Sequence, residues 1–124
     1  VQNLGKLSLS NLLTKGKIMK IYGIKACDTC RKAIKALENA GHHVLFHDVR
    51  ADPLDNETFF QFWSAFGNDL VNTRSTTWRG LSEEERAEEP LELLAKHPTL
   101  MKRPVIEAET LHLGWGKDVQ SALL

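Results

Sequence analysis

The sequence has no excess charge of either sign: Lys and Arg number 16, Asp and Glu also 16, and the formal net charge is zero. A neutral chain has no overall field to draw it to nucleic acid or to an anionic membrane, so direct nucleic-acid binding is not expected and any anion binding must be local. No apolar run approaches the roughly 20 residues that a membrane-crossing helix needs. Cysteine is scarce, with two in 124 residues. That excludes a disulfide scaffold, and a chain of this length can bury one real core without staples. The count suits a reducing cytoplasmic setting, where a pair of thiols is more often catalytic or sensing than structural.

Acidic residues are missing altogether from residues 1–18, where Lys6, Lys15 and Lys17 alternate with Leu7, Leu9, Leu12 and Leu13. The pattern superficially matches an organellar transit peptide. The better reading takes Met19 as the natural start and residues 1–18 as a disordered leader or extension, leaving residues 19–124 as a single domain.

Both cysteines fall in one stretch, Cys27-Asp-Thr-Cys30, between a short apolar run and an amphipathic helix. Only the thiolate is nucleophilic, and a strand-to-helix corner offers unpaired N–H groups and a positive dipole end that favour the anion. Lys25, Arg31 and Lys32 add positive charge nearby. The alternatives are two inert thiols or half a zinc site. Inert buried cysteines seldom occur as an isolated CxxC at a helix start. For zinc, His42 and His43 are adjacent and alternate faces in a strand, so four convergent ligands are not evident and no metal is expected.

From Met19 the periodicity changes in a regular order. Lys20 to Ile24 reads as a strand; Thr29 or the cysteine turn caps a helix with Ala33, Ile34 and Leu37 on one face, stopped by Gly41. Val44 to Val49 reads as a second strand, parallel to the first, with the CxxC at the carboxyl end of the first. Pro53 and Asp55 open a helix whose Phe59, Phe62, Trp63 and Phe66 form a core stripe, closed by Gly67. Ser82 and Glu85 make a capping box, and Pro90 restarts helix as far as Pro98. Val105 to Ala108 and Thr110 to Leu113 form a hairpin around Glu109, and Lys117 to Leu124 a terminal helix. This order predicts an α/β domain with a mixed sheet of about four strands flanked by helices, and a CxxC leading the first helix makes it thioredoxin-like.

Several separated segments together resemble the arsenate reductase-like (ArsC/Spx) family, most closely its YffB-like branch. They are Tyr22 to Lys25 with Cys27 to Thr29, Phe46 to Asp48, Asn72 to Arg79, Lys102 to Pro104 and Leu111 to Gly114. The resemblance implies Cys27 as the nucleophile and Arg74 and Arg103 as oxyanion-binding residues. A guanidinium fork suits a tetrahedral anion and favours a neighbouring thiolate. It also implies a cis Pro104 that edges the active-site groove, together with Lys25, and presents an unpaired carbonyl. Arg79 is expected to serve as a surface charge or structural ion pair.

By the same resemblance the chain binds no resident cofactor and uses glutathione as co-substrate, with glutaredoxin recycling a mixed disulfide on Cys27. Alternatively Cys30, one helical turn inward, acts as the resolving thiol. Two departures stand out. No arginine follows Arg103, and Lys117 is the only cation near where the well-studied arsenate reductases place a third. Cys30 is absent from the glutathione-coupled enzymes but matches the CxxC switch of Spx-type regulators. The second reading is therefore an Spx-like regulator that binds the RNA polymerase alpha subunit through a Cys27–Cys30 disulfide switch. Either protein is expected to work as a monomer without a membrane anchor.

Overall fold

A computed structural model describes residues 17–124. Strand β1 (Ile18–Gly23) leads to helix α1 (Asp28–Asn39) and strand β2 (His43–Asp48), then to helix α2 (Asn56–Phe66). Three short helices follow: α3 (Thr76–Arg79), α4 (Glu83–Arg86) and α5 (Pro90–Lys96). The chain closes with β3 (Val105–Glu107), β4 (Leu111–Leu113) and α6 (Lys117–Leu123). The sheet runs in the order β2-β1-β3-β4, with β1 parallel to β2 and the other pairings antiparallel. The α/β class and the four-stranded mixed sheet agree with the pattern in the sequence.

Alternation along β1 sends its side chains to opposite faces and so founds two apolar layers. Met19 and Ile21 pack with Leu37 of α1, Ile106 of β3 and Leu123 of α6. Tyr22 faces the other way, toward Phe59 and Phe62 of α2, Leu93 and Leu94 of α5, and Val105. Full burial of side chains of this size stabilises by about 1.5–3 kcal/mol each. The aromatic stripe of α2 is core, with Phe59 and Phe62 buried and Trp63 and Phe66 packed at its margin.

The helix signals hold at the residues that carry them. Asp55 caps α2 by accepting the Thr58 N–H at 2.8 Å, and Ser82 and Glu85 form the reciprocal capping box. Cys27, not Thr29, occupies the cap position of α1. The first strand begins two residues earlier than Lys20, because the ladder is anchored by the Lys17 carbonyl, which accepts the His43 N–H at 2.9 Å. Ile18 is 60% exposed, so burial leaves no mark of this in the alternation. Lys17 and Ile18, read as part of the leader, instead join the sheet through their pairing with His43; the rest of the leader expectation falls on residues outside those described. None of the described helices is long and apolar enough to cross a membrane.

Candidate active site at the head of the first helix

The carboxyl ends of β1 and β2 are tied together by one side chain. The Asp48 carboxylate accepts the N–H of Lys25 at 2.9 Å on one oxygen, and those of Arg50 (2.9 Å) and Ala51 (3.0 Å) on the other. These N–H groups, Lys25 foremost, hold its carboxyl below the usual carboxylate range. Val49 N–H also donates to the Gly23 carbonyl at 2.8 Å. The loop that delivers Cys27 and the loop that delivers Arg50 are thus fixed to each other.

Within the first loop, Cys27 N–H closes a turn onto the Ile24 carbonyl at 2.9 Å, and Cys27 enters α1 with extended backbone at φ −79°, ψ 121°. It is half-buried, whereas Cys30 is fully buried, and both are free thiols. Burial opposes ionisation of Cys27, but the Cys30 N–H, the Cys30 thiol and the neighbouring Arg103 guanidinium outweigh it and hold the Cys27 thiol below its ordinary range. Burial, reinforced by Cys27, pushes the Cys30 thiol up to about 12. The two sulfurs therefore differ in acidity: Cys30 is the harder to ionise, and its thiol favours the Cys27 anion.

Arg103 donates from Nη1 to the Thr99 carbonyl at 2.7 Å, and its Nε is buried with no hydrogen-bond partner among the described residues. An orphaned donor of this kind costs about 1–3 kcal/mol unless an acceptor meets it. The Arg103–Pro104 peptide bond is cis. The Pro104 carbonyl is not unpaired as expected. It accepts the Gly114 N–H at 2.8 Å, and Gly114 reaches that position with φ +81°, a conformation in which a side chain would be strained.

Cys27 opens onto a cavity of about 400 Å³. Arg103 and Thr99 form one side, and Ser75, Thr76 and Thr77 bring hydroxyls from the start of α3. Arg50 lines it as well. No carboxylate does, so the cavity is electropositive; of its hydroxyls, Ser75 donates to the Asn72 carbonyl and Thr77 and Thr99 bond each other. Of the residues singled out in the sequence, Cys27 and Arg103 meet here, with Cys30 buried behind Cys27. Arg74 does not line the cavity: it is exposed, its N–H donates to Asn72 Oδ1 at 3.0 Å, and its carbonyl accepts from Arg79 at 2.8 Å. Arg79 accordingly braces the turn before α3 through a backbone carbonyl and is in no ion pair among the described residues. Lys25 is exposed and engaged through its backbone, Pro104 is buried, and Lys117 heads α6 outside the cavity lining.

Sequence reasoning missed Arg50 and the hydroxyl group. The signal for Arg50 was its place just past the second parallel strand, where side chains share the crevice with the end of the first. The hydroxyls had no such signal, because Thr99 joins Thr77 only through a 2.8 Å hydrogen bond across 22 residues of sequence. His42, weighed as a zinc ligand, instead has both ring nitrogens engaged, with the Lys17 N–H at 3.2 Å and the Leu123 carbonyl at 2.9 Å.

This architecture has relatives. An uncharacterized protein of Haemophilus influenzae is 45% identical over 94 residues, covering 72% of this chain and 82% of that one. The global transcriptional regulator Spx of Streptococcus agalactiae is 31% identical over 108 residues, covering 80% and 77%. Among solved structures, a YffB protein superposes with a TM-score of 0.75 at 34% identity, over 86% of this chain and 98% of its own. The family model described as ArsC matches residues 22–122, from the end of β1 into α6. The chain therefore belongs to the ArsC family.

Proposed function

We propose that the protein is a thiol-dependent oxidoreductase of the arsenate reductase type, with Cys27 as nucleophile and Arg103 binding an oxyanion beside it. The observation that carries this reading is a thiol held below its ordinary range, opening onto a cavity lined by guanidinium and hydroxyl groups and by no carboxylate.

The Cys27 thiolate forms a sulfur–arsenic bond to arsenate while one arsenate oxygen takes up two protons and leaves as water. A glutathione thiolate then attacks the Cys27 sulfur. The sulfur–arsenic electron pair departs with arsenic, which leaves as arsenite, and a Cys27–glutathione disulfide remains for glutaredoxin to reduce. Two thiols have lost one electron each, and arsenic has gained two. Cys30 is the poorer attacking group near neutral pH, being buried and proton-bearing, so external glutathione is favoured over internal resolution.

The test is arsenate-dependent NADPH consumption in the presence of glutathione, glutaredoxin and glutathione reductase. Cys27→Ser abolishes turnover and Cys30→Ser retains part of it; equal rates for both variants and wild type would reject these roles. The Spx relatives, together with the paired thiols, support a second reading as a redox-switched regulator that binds RNA polymerase. Stoichiometric capture of the polymerase alpha subunit that depends on the redox state of Cys27 and Cys30, with no thiol-dependent turnover, would establish it over the enzyme.

A further inference from the structure

We propose that Arg50 is a second anion-binding guanidinium of the Cys27 cavity, acting on the same oxyanion as Arg103 from another element at the same end of the sheet; the inference rests on the oxyanion reading above. The two arginines reach the cavity from different elements, Arg50 from the loop after β2 and Arg103 from the segment before β3. The Arg50 backbone is held by Asp48, whose same oxygen also takes the Ala51 N–H, and the Arg50 guanidinium makes no hydrogen bond to it among the described residues. Among the described residues its guanidinium is in no ion pair.

Arg50 and Arg103 line the same cavity with no carboxylate in its lining, so their two positive charges together favour an anion there, although Arg50 also lies within Coulombic reach of Asp48. Arg103 itself carries an unmet donor, its buried Nε, alongside the Nη1 that bonds Thr99. The ligand class is a small oxyanion that presents oxygens on two sides, which a pair of forks grips better than a fork and an ammonium. Lys117, the cation available from sequence alone, is not in the lining, and neither is Arg74. Arg50 fills the role that the sequence left open.

The experiment measures protection of Cys27 against iodoacetamide, with the modified site mapped by mass spectrometry, while sulfate is titrated at constant ionic strength as an unreactive oxyanion. Sulfate slows alkylation of the wild type. Arg50→Ala, which keeps the backbone N–H that Asp48 holds, requires roughly tenfold more sulfate for half-protection, the loss of one charge-assisted hydrogen-bonding group. Arg50→Lys falls between the two, because the charge remains and the fork is lost. An Arg50→Ala curve that superimposes on the wild type overturns the inference, as does a loss carried by Arg74→Ala in its place; in both cases protection of the wild type leaves the oxyanion reading standing. Failure of sulfate and arsenate to protect the wild type at all overturns that reading, and Arg50 with it.

Discussion

Gly23 lies directly beneath the Cys30 sulfur: a Cβ at this position would overlap Cys30 Sγ, with a Phe46 ring carbon 3.5 Å away. The last residue of β1 is thus glycine because the buried thiol occupies the space of a side chain. This contact also explains how Cys30 becomes fully buried one turn into α1, which in turn keeps it protonated and donating to Cys27.

Gly23→Ala is therefore expected to destabilise the protein by about 1–3 kcal/mol through overpacking. The double variant Gly23→Ala/Cys30→Ala removes the overlapping sulfur and recovers much of the loss. Urea midpoints for the two single variants and the double variant form the cycle that measures this. Additive losses would show that the two positions do not compete for space.

The unlike thiols give stability a definite pH dependence. Cys27 has a folded pKa below the ordinary thiol value of 9.0, so the unfolded state binds more protons between those two values and stability rises with pH across that window. Cys30 is the reverse. Raised from 9.0 to about 12, it stays protonated in the fold while the unfolded chain ionises, so stability falls by roughly 1.4 kcal/mol per pH unit above the ordinary value. Tyr22, buried against Glu107 and also pushed up to about 12, adds a fall of the same sign from 10.0 upward. Subtracting the Cys30→Ser profile from that of the wild type gives the Cys30 contribution, a decline that begins near pH 9, together with the support the Cys30 thiol lends the Cys27 anion below that pH.

Asp48 contributes most where it is ionised. Its carboxyl is held low by the N–H groups it accepts, so its stabilisation is complete above the ordinary carboxylate value and is lost as pH falls through the lowered one. Asp48→Asn retains one acceptor oxygen and cannot serve Lys25 on one side and Arg50 and Ala51 on the other. A loss of about 1–3 kcal/mol is expected, with a faster Cys27 alkylation that sulfate slows poorly, because the two loops no longer hold a fixed separation. Unchanged sulfate protection would remove Asp48 from the site's construction.

How much of this was legible in the sequence follows from where each signal lies. Cys27, Asp55, Gly67 and the Ser82–Glu85 box act on neighbours within four residues, and such local chemistry is readable before any fold is known. The four strands were found to within two residues, because period-two apolar patterning survives wherever one face is buried. Their ends were less clear where a residue such as Ile18 is paired but exposed. The short helix α3 was hidden inside a run valued for Arg74, and its cap, Ser75 accepting the Trp78 N–H at 3.1 Å, gave only a weak pattern. Arg50 and Thr99 belong to the cavity through tertiary placement alone. Chemical resemblance drew attention to Arg74, whose guanidinium the fold leaves outside the lining.

The most direct test of the central claim is the pH profile of Cys27 alkylation, mapped to that residue in wild type and in Arg103→Gln. With the Arg103 guanidinium, the Cys30 thiol and the Cys30 N–H all favouring the anion, the wild-type midpoint is expected below the ordinary thiol value of 9.0, and removal of the guanidinium moves it upward. A wild-type midpoint at or above 9.0, unmoved by Arg103→Gln, would contradict the account.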